Sequence, residues 1–488
     1  MKRLLSFALA FLISLSTFAQ PADPGSETRL TGEQLVEDVR LMREAMELMH
    51  AGLYRHTPKA EMDQHFDQLE ADVGAGMTLG DFYLRLSRFL AKVQDGHTYA
   101  NYYNQPDHVK EQVTNTATRV PFAFRLVEDR MIITKNASDS EHLAPGAEVT
   151  HLNGKPVKAL VGTLMPLVKA DGGNDAKRLS DLEVMGAERY TAFDVYLPMV
   201  IDIETDITVR TLNTQGETAT VTVPVLTRDE RLAILSERYE MPTSIDDLWA
   251  FELLDDETAY LQLGTFTVWN LSFKWVPFLR DAFDQMEKAG TKNLILDIRG
   301  NEGGLTEVMN ALFTKVVRTP ITMPPVRSVM TFNKVPERLR PYVGTWDQSL
   351  MDMTESLVLT EDSVYVDRDS SVEPTTIPAG MKPFSGHTYV LVGAANSSAT
   401  FYLSGVMKRN PDATLVGQMT GGNLRGTTGG AIYFLNLPNS GVEVDVPAIA
   451  TSLLGEQPDR GIIPDVIVPR TVADVRAGRD AELQRALE

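Results

Sequence analysis

The stretch from Thr388 to Gly430 constrains this chain more than any other. Tyr389 to Val392 is a short apolar run rich in β-formers, and it predicts a buried strand. A tight polar turn, Gly393-Ala-Ala-Asn-Ser-Ser398, leads into an amphipathic helix over Ala399 to Lys408, with Phe401, Tyr402, Leu403 and Val406 on its apolar side. Arg409-Asn410-Pro411 stops that helix, and a second buried strand, Ala413 to Val416, enters a Gly/Thr-rich loop. Strand, sharp turn, serine and helix together present a hydroxyl at the positive end of a helix dipole. Free backbone N–H groups there stabilise an alkoxide or an oxyanion. Ser397 and Ser398 equally suit plain helix capping, so the rest of the chain has to decide.

A chain of 488 residues with 43% hydrophobic content has room for two or three domains and a large core. Lys2 and Arg3 precede the apolar run Leu4 to Leu15, and Thr17-Phe18-Ala19 puts small residues at the two recognition positions before a cut. Residues 1–19 therefore predict a secretory signal peptide. The run is short for a membrane span, and no second stretch is long enough to cross a bilayer. The expected mature protein is exported, periplasmic or extracellular, with no membrane span after signal cleavage. It has no cysteine, so disulfides, lipid-modified cysteine and thiol nucleophiles are excluded and packing must supply the stability. A formal charge of −20 argues against nucleic acid and anionic membranes as partners. The eight histidines show neither HExxH nor clustered His/Asp/Glu spacing, so no metal and no cofactor is expected.

Thr31-Gly-Glu-Gln34 reads as a capping box and opens a helix with Leu35, Val39, Met42, Met46 and Met49 inward. Two further helical patterns follow, so residues 28–110 predict an N-terminal helical domain, interrupted at Gln94-Asp-Gly-His97-Thr98. From Val120 the periodicity turns to strands. Leu143 to Val157 places a strand between Gly turns ahead of a short helix, and Ile207–Leu212 with Thr218–Val225 forms a hairpin, so residues 118–228 resemble a PDZ domain. Arg228 to Ser244 is charged and Pro-interrupted and reads as a linker. An α/β pattern begins at Ala259, where the strand Asn293 to Arg299 enters Gly300-Asn-Glu-Gly303-Gly304. That turn lacks the Gly-Lys-Ser/Thr of a nucleotide site; its glycines let backbone N–H groups face a reacting oxygen. Residues 318–386 are Pro-rich and irregular, suiting a lid, a substrate wall or surface decoration, and residues 471–488 predict a C-terminal helix.

LDIRGNEGG (Leu296 to Gly304), the NSSAT turn (Asn396 to Thr400) with VGQMTGG (Val416 to Gly422), and RGIIPD (Arg460 to Asp465) occur in that order. With the upstream PDZ-like unit they resemble the carboxy-terminal-processing, or tail-specific, serine protease family. The resemblance covers the catalytic half well and the PDZ-like region loosely. It implies a multidomain α+β fold with a crotonase-like β/α catalytic core over residues 245–470, carrying 318–386 as an insertion. It also implies endopeptidase activity on unstructured C-terminal segments of protein or peptide substrates.

Carried onto this sequence, the nucleophile falls on Ser398, with Ser397 as competitor, and the oxyanion donors on the N–H of Gly303 or Gly304 and of Ala399. The lysine base of many family members falls on Asn423, and nearby Arg425 does not deprotonate near neutral pH. A second branch, similar to the tricorn protease core, supplies a histidine from upstream of the PDZ-like domain, which falls on His97 in Asp95-Gly-His97-Thr98. Imidazole titrates near the working pH and suits a general base. His387 precedes the strand that Ser398 follows, which separates them by ~15–20 Å at ~3.3 Å per residue. The branch orients its histidine with an acid near the final motif, and Asp459 and Glu456 are the candidates. Where a second serine stands just before the histidine in that branch, this chain has Gly96. A catalytically inactive relative that binds a peptide or small ligand, as the retinoid-binding protein of the retina illustrates, is the rival reading.

Overall fold

The computed structural model describes residues 28–488, so the signal peptide expected over residues 1–19 lies outside the described residues. The architecture is mixed α/β with several sheets. Gly32–Met49, Lys59–Val73 and Leu79–Leu90 are helices, and both halves of the Thr31/Gln34 capping box are formed. The inward face is the one the pattern predicts, with Leu35, Val39, Met42, Met46 and Met49 buried. Asp38 is buried as well, and its carboxylate accepts the N–H of Asn439 and of Ser440, each at 2.9 Å. A helix near the start is thereby tied to a hairpin turn some four hundred residues on.

Phe122–Val127, Arg130–Asn136, Glu148–Leu152, Asp206–Leu212 and Thr218–Pro224 form an antiparallel sheet in that order, with Lys155–Pro156 beside Glu148–Leu152. The stretch read as a linker is instead the helix Arg228–Arg238, opened by a Thr227/Glu230 capping box. The reason is tertiary: Arg231 is fully buried and bridges to Asp194, which also pairs with Arg119. A charged helix looks solvated in sequence until its buried counter-ion is known.

The second large sheet has six strands, in the order Val466–Ile467, Ala413–Gly417, His387–Val392, Asn293–Asp297, Thr258–Leu263 and Trp249–Leu253. All its pairings are parallel except the last. Parallel strands align their carboxyl ends, where an open α/β sheet gathers its loops. Residues 318–386 are not mere decoration. Val326–Val329 and Val343–Gly344 are the edge strands of a four-stranded antiparallel sheet centred on Thr427–Asn436 and Glu443–Leu453. Strands this short carry too few residues to show a period of two. The expected single C-terminal helix is two, Val472–Ala477 and Ala481–Leu487, separated at Gly478 with its φ of 61°.

One hydrophobic core joins the N-terminal helices, the first antiparallel sheet and Ala431, Tyr433, Val444 and Val446 of the four-stranded sheet. A second core fills the parallel sheet and includes Leu296, Val390, Leu403 and Leu415.

Candidate active site

The strands Asn293–Asp297 and His387–Val392 are parallel neighbours, with Asp297 opposite Leu391. Their carboxyl ends release the two Gly-containing turns side by side. Asn396, fully buried, holds the turns together: its Nδ2 donates to the carbonyls of Ile298 at 2.6 Å and Asn301 at 3.0 Å, while its Oδ1 accepts the N–H of Gly393. Arg299 braces the first turn from behind, donating to Asp297, Asp480 and Glu482.

Ser397 and Ser398 part company here. The Ser397 hydroxyl donates to the carbonyl of Glu302 at 3.2 Å. Ser398 is the first residue of the helix Ser398–Met407 and has a φ of 51°, unusual for a residue with a side chain. Such backbone persists where the surroundings enforce it and is concentrated at functional sites. Gly303 does part of the enforcing, because a Cβ placed on it would stand 2.8 Å from Ser398 Cβ and 2.9 Å from Ala399 N.

The structure also separates the oxyanion candidates. The Gly303 N–H already donates to Asn301 Oδ1 at 2.8 Å. The flanking bonds, Phe266 N–H to the Gly303 carbonyl and Leu305 N–H to the Phe266 carbonyl, bypass the N–H of Gly304. Ala399 lies in the first turn of its helix, where N–H groups have no intrahelical acceptor.

His97 sits on a loop held by carboxylates. Its own N–H donates to Asp95 Oδ1 at 2.9 Å, and the Gly96 N–H donates to Asp171 Oδ1 at 2.9 Å. The Gly52 N–H donates to His50 Nδ1, so the His50 proton is on Nε2 and faces Thr98 Oγ1 at 2.7 Å. The Thr98 hydroxyl in turn donates to Asp95. The His97 ring stands 3.5 Å from the place a Cβ on Gly429 would occupy, and its Nδ1 is buried without a hydrogen-bond partner among the described residues. Burial pushes the pKa of His50 down. Burial works against the Asp95 carboxylate too, but His50 and His97 outweigh it and hold its pKa low. Asp171 is raised by burial and by the nearby Asp95 charge.

Glu302, beside the glycines, accepts a salt bridge from Lys177 at 3.2 Å, and Lys169 approaches to 4.0 Å. Its side chain is 54% exposed as a whole while the carboxylate is drawn in among these groups. Desolvation opposes the charge, yet Lys177, Lys169 and His97 together keep its pKa below the ordinary value. Thus the His97 loop and the Ser398 elbow border the same turn. Lys177 is 2% exposed and paired with Asp181 and Glu302, which outweigh burial and raise its pKa; it is a fixed cation and not a base.

Asp459 goes elsewhere. It accepts from Asn423 Nδ2 at 2.6 Å and Gly173 N–H at 3.2 Å, and pairs with Arg425 at 3.4 Å. The histidine whose charge bears on it is His56, whose two ring nitrogens are buried without partners among the described residues. Glu456 is exposed. His387 bonds Thr414 at the far end of its strand. Asp171, His50 and Arg55 belong to the site's surroundings but carried no signal in the sequence, since each lies in an unremarkable polar stretch; Asp171 and His50 meet His97's loop, and Arg55 meets Thr428, only in the folded chain.

Residues 257–468 match the profile of the family described as Peptidase family S41. No protein of curated function matches the sequence. Among solved structures, mature CPAF complexed with lactacystin is 15% identical, covers 93% of this chain and 97% of its own, and has a TM-score of 0.61. Mature CPAF alone is 16% identical over 93% and 96% of the two chains, with a TM-score of 0.60. The photosystem II D1 C-terminal processing protease aligns at 15% identity over 93% and 99%, with a TM-score of 0.40. The likeness to CPAF is one of fold.

Proposed function

We propose that this chain, whose residues 257–468 belong to peptidase family S41, is an exported serine endopeptidase in which Ser398 is the nucleophile and His97 the general base. The observation that carries the reading is Ser398 itself, at positive φ on a helix N-terminus and pressed against Gly303. In the reaction, His97 takes the Ser398 proton as Oγ attacks the scissile carbonyl. The N–H groups of Ala399 and Gly304 receive the oxyanion, and His97 then protonates the leaving amine. Water hydrolyses the acyl-enzyme by the same route in reverse. Gly303 shapes the hole without donating to it, because its N–H is committed to Asn301. Asp459 supports the loop wall through Asn423 and Gly173 in this reading, and Glu302, like Asp95 and Asp171, is a carboxylate whose charge bears on His97. Extended C-terminal segments of proteins are the substrates in view.

The test is labelling of the purified protein with a fluorophosphonate probe, alongside Ser398→Ala, Ser397→Ala and His97→Ala. Labelling should survive Ser397→Ala and vanish in Ser398→Ala and His97→Ala. A folded wild type that takes no label would favour the ligand-binding alternative.

A further inference from the structure

A histidine that serves as base has to be held in one orientation, and a hydrogen-bonded acid on Nδ1 is the usual means. His97 Nδ1 has no such partner among the described residues. The orientation must therefore come through the backbone of its loop. We propose that Asp171 is the positioning residue for His97: its Oδ1 holds the Gly96 N–H and so sets where the imidazole stands relative to Ser398. This rests on the Ser398–His97 reading above.

Asp171 is 2% exposed, and the segment around it touches both halves of the catalytic pair. On one side, the Gly172 N–H donates to the carbonyl of Gln94 at 2.8 Å, so residues 171–172 and 94–96 are laced together at two points. On the other, Asn174 Nδ2 donates to the carbonyls of Thr420 at 3.0 Å and Gly422 at 3.1 Å. The N–H groups of Gly421 and Gly422 donate to the carbonyl of Asn396, the residue that builds the Ser398 elbow. Asp171 thus belongs to a short rigid bridge from the histidine loop to the serine turn. Gly96 fits the same account. A Cβ there would lie 3.1 Å from Asp171 Oδ2 and 3.2 Å from its other carboxylate atoms, so a side chain at this position crowds the carboxylate.

A carboxylate buried merely for structure would be expected to pair with its nearest cation. The charged and titratable groups around Asp171 are Asp95, His97 and Arg55, with His50 behind Asp95. Arg55 gives its hydrogen bonds to Thr428 Oγ1 and the Thr427 carbonyl and not to Asp171. The hydrogen bond Asp171 accepts from Gly96 is what fixes it.

The experiment measures the fluorophosphonate labelling rate of the full chain, normalised to folded protein, for wild type, Asp171→Ala and Asp171→Asn. Misplacing a catalytic group by about 1 Å costs ~10²-fold, so Asp171→Ala should slow labelling to that extent. Asp171→Asn keeps an oxygen for the Gly96 N–H and should restore most of the rate. Equal loss in both folded variants, or no loss in Asp171→Ala, overturns the proposal. If Asp171→Ala does not fold, Gly96→Ala replaces it: its Cβ crowds the Asp171 carboxylate at 3.1–3.2 Å, and labelling at the wild-type rate would overturn the proposal. Labelling that persists in Ser398→Ala would instead sink the functional reading, which keeps the two failures apart.

Discussion

Replacing Gly303 by alanine should disable the site far more than it unfolds the protein, and Gly300 provides the control in the same turn. Both glycines have positive φ, 78° at Gly300 and 106° at Gly303. A Cβ on Gly300 meets nothing within 4 Å, whereas one on Gly303 stands 2.8 Å from Ser398 Cβ and 2.9 Å from Ala399 N. Carbon atoms rest at about 3.5–4.0 Å, so the turn or the serine must retreat by ~0.7 Å or more. Backbone strain of about 1–3 kcal/mol applies to both variants. Overpacking adds about 1–3 kcal/mol only at Gly303. The retreat displaces the Ala399 N–H from the oxyanion, and losing one such donor costs ~10²–10³-fold in rate. Urea midpoints read the stability difference, and fluorophosphonate labelling per folded molecule reads the rate. Gly303→Ala that labels as fast as Gly300→Ala, both folded, would refute the assignment of this turn as the wall of the oxyanion site.

Two further outcomes test the scaffold. Asp445 is 4% exposed, its Oδ1 has no partner among the described residues, and burial pushes its pKa up to about 7 despite the hydrogen bond from Asn101. Its folded value lies above its unfolded one, so native Asp445 retains a proton that the unfolded chain loses above about pH 4. Stability should therefore fall as pH rises to about 7, by up to an order of 4 kcal/mol from this one group. Urea midpoints against pH should lose that component of slope in Asp445→Asn, and an unchanged slope would refute it. Asp194 is held charged by Arg231 and Arg119 against the cost of burial, with all three side chains at most 4% exposed. Arg231→Met leaves that carboxylate half-compensated and should destabilise the protein by about 3–5 kcal/mol in urea unfolding. An unmoved midpoint would show that the ion cluster is neutral to stability.

The serine turn, the glycine turn and the helix that follows each were legible in the chain because they are local. Their dihedrals, caps and dipoles depend on residues a few positions apart, and a strand followed by a tight turn ending in Asn-Ser-Ser before a helix leaves little choice. The same holds for the Thr31 capping box and for the inward face of its helix. Residues 228–238 misled for the opposite reason, since Arg231 becomes a core residue only when Asp194 is beneath it.

The surroundings of the candidate base were set at longer range. His97 meets Gly429 because the N-terminal helices share a core with the strands that carry residues 427–453, a fact of packing with no trace in local sequence. Proximity to the last motif suggested Asp459 as the acid for His97, but Asn423, Gly173 and Arg425 take its oxygens and His56 is the histidine that bears on its charge. Asp171 came to the histidine loop through the folded path of a polar segment. Local chemistry marked the serine turn as the candidate nucleophile; which groups surround it was decided by tertiary packing, because burial, charge and hydrogen-bond partners belong to the folded neighbourhood and not to the neighbours in sequence.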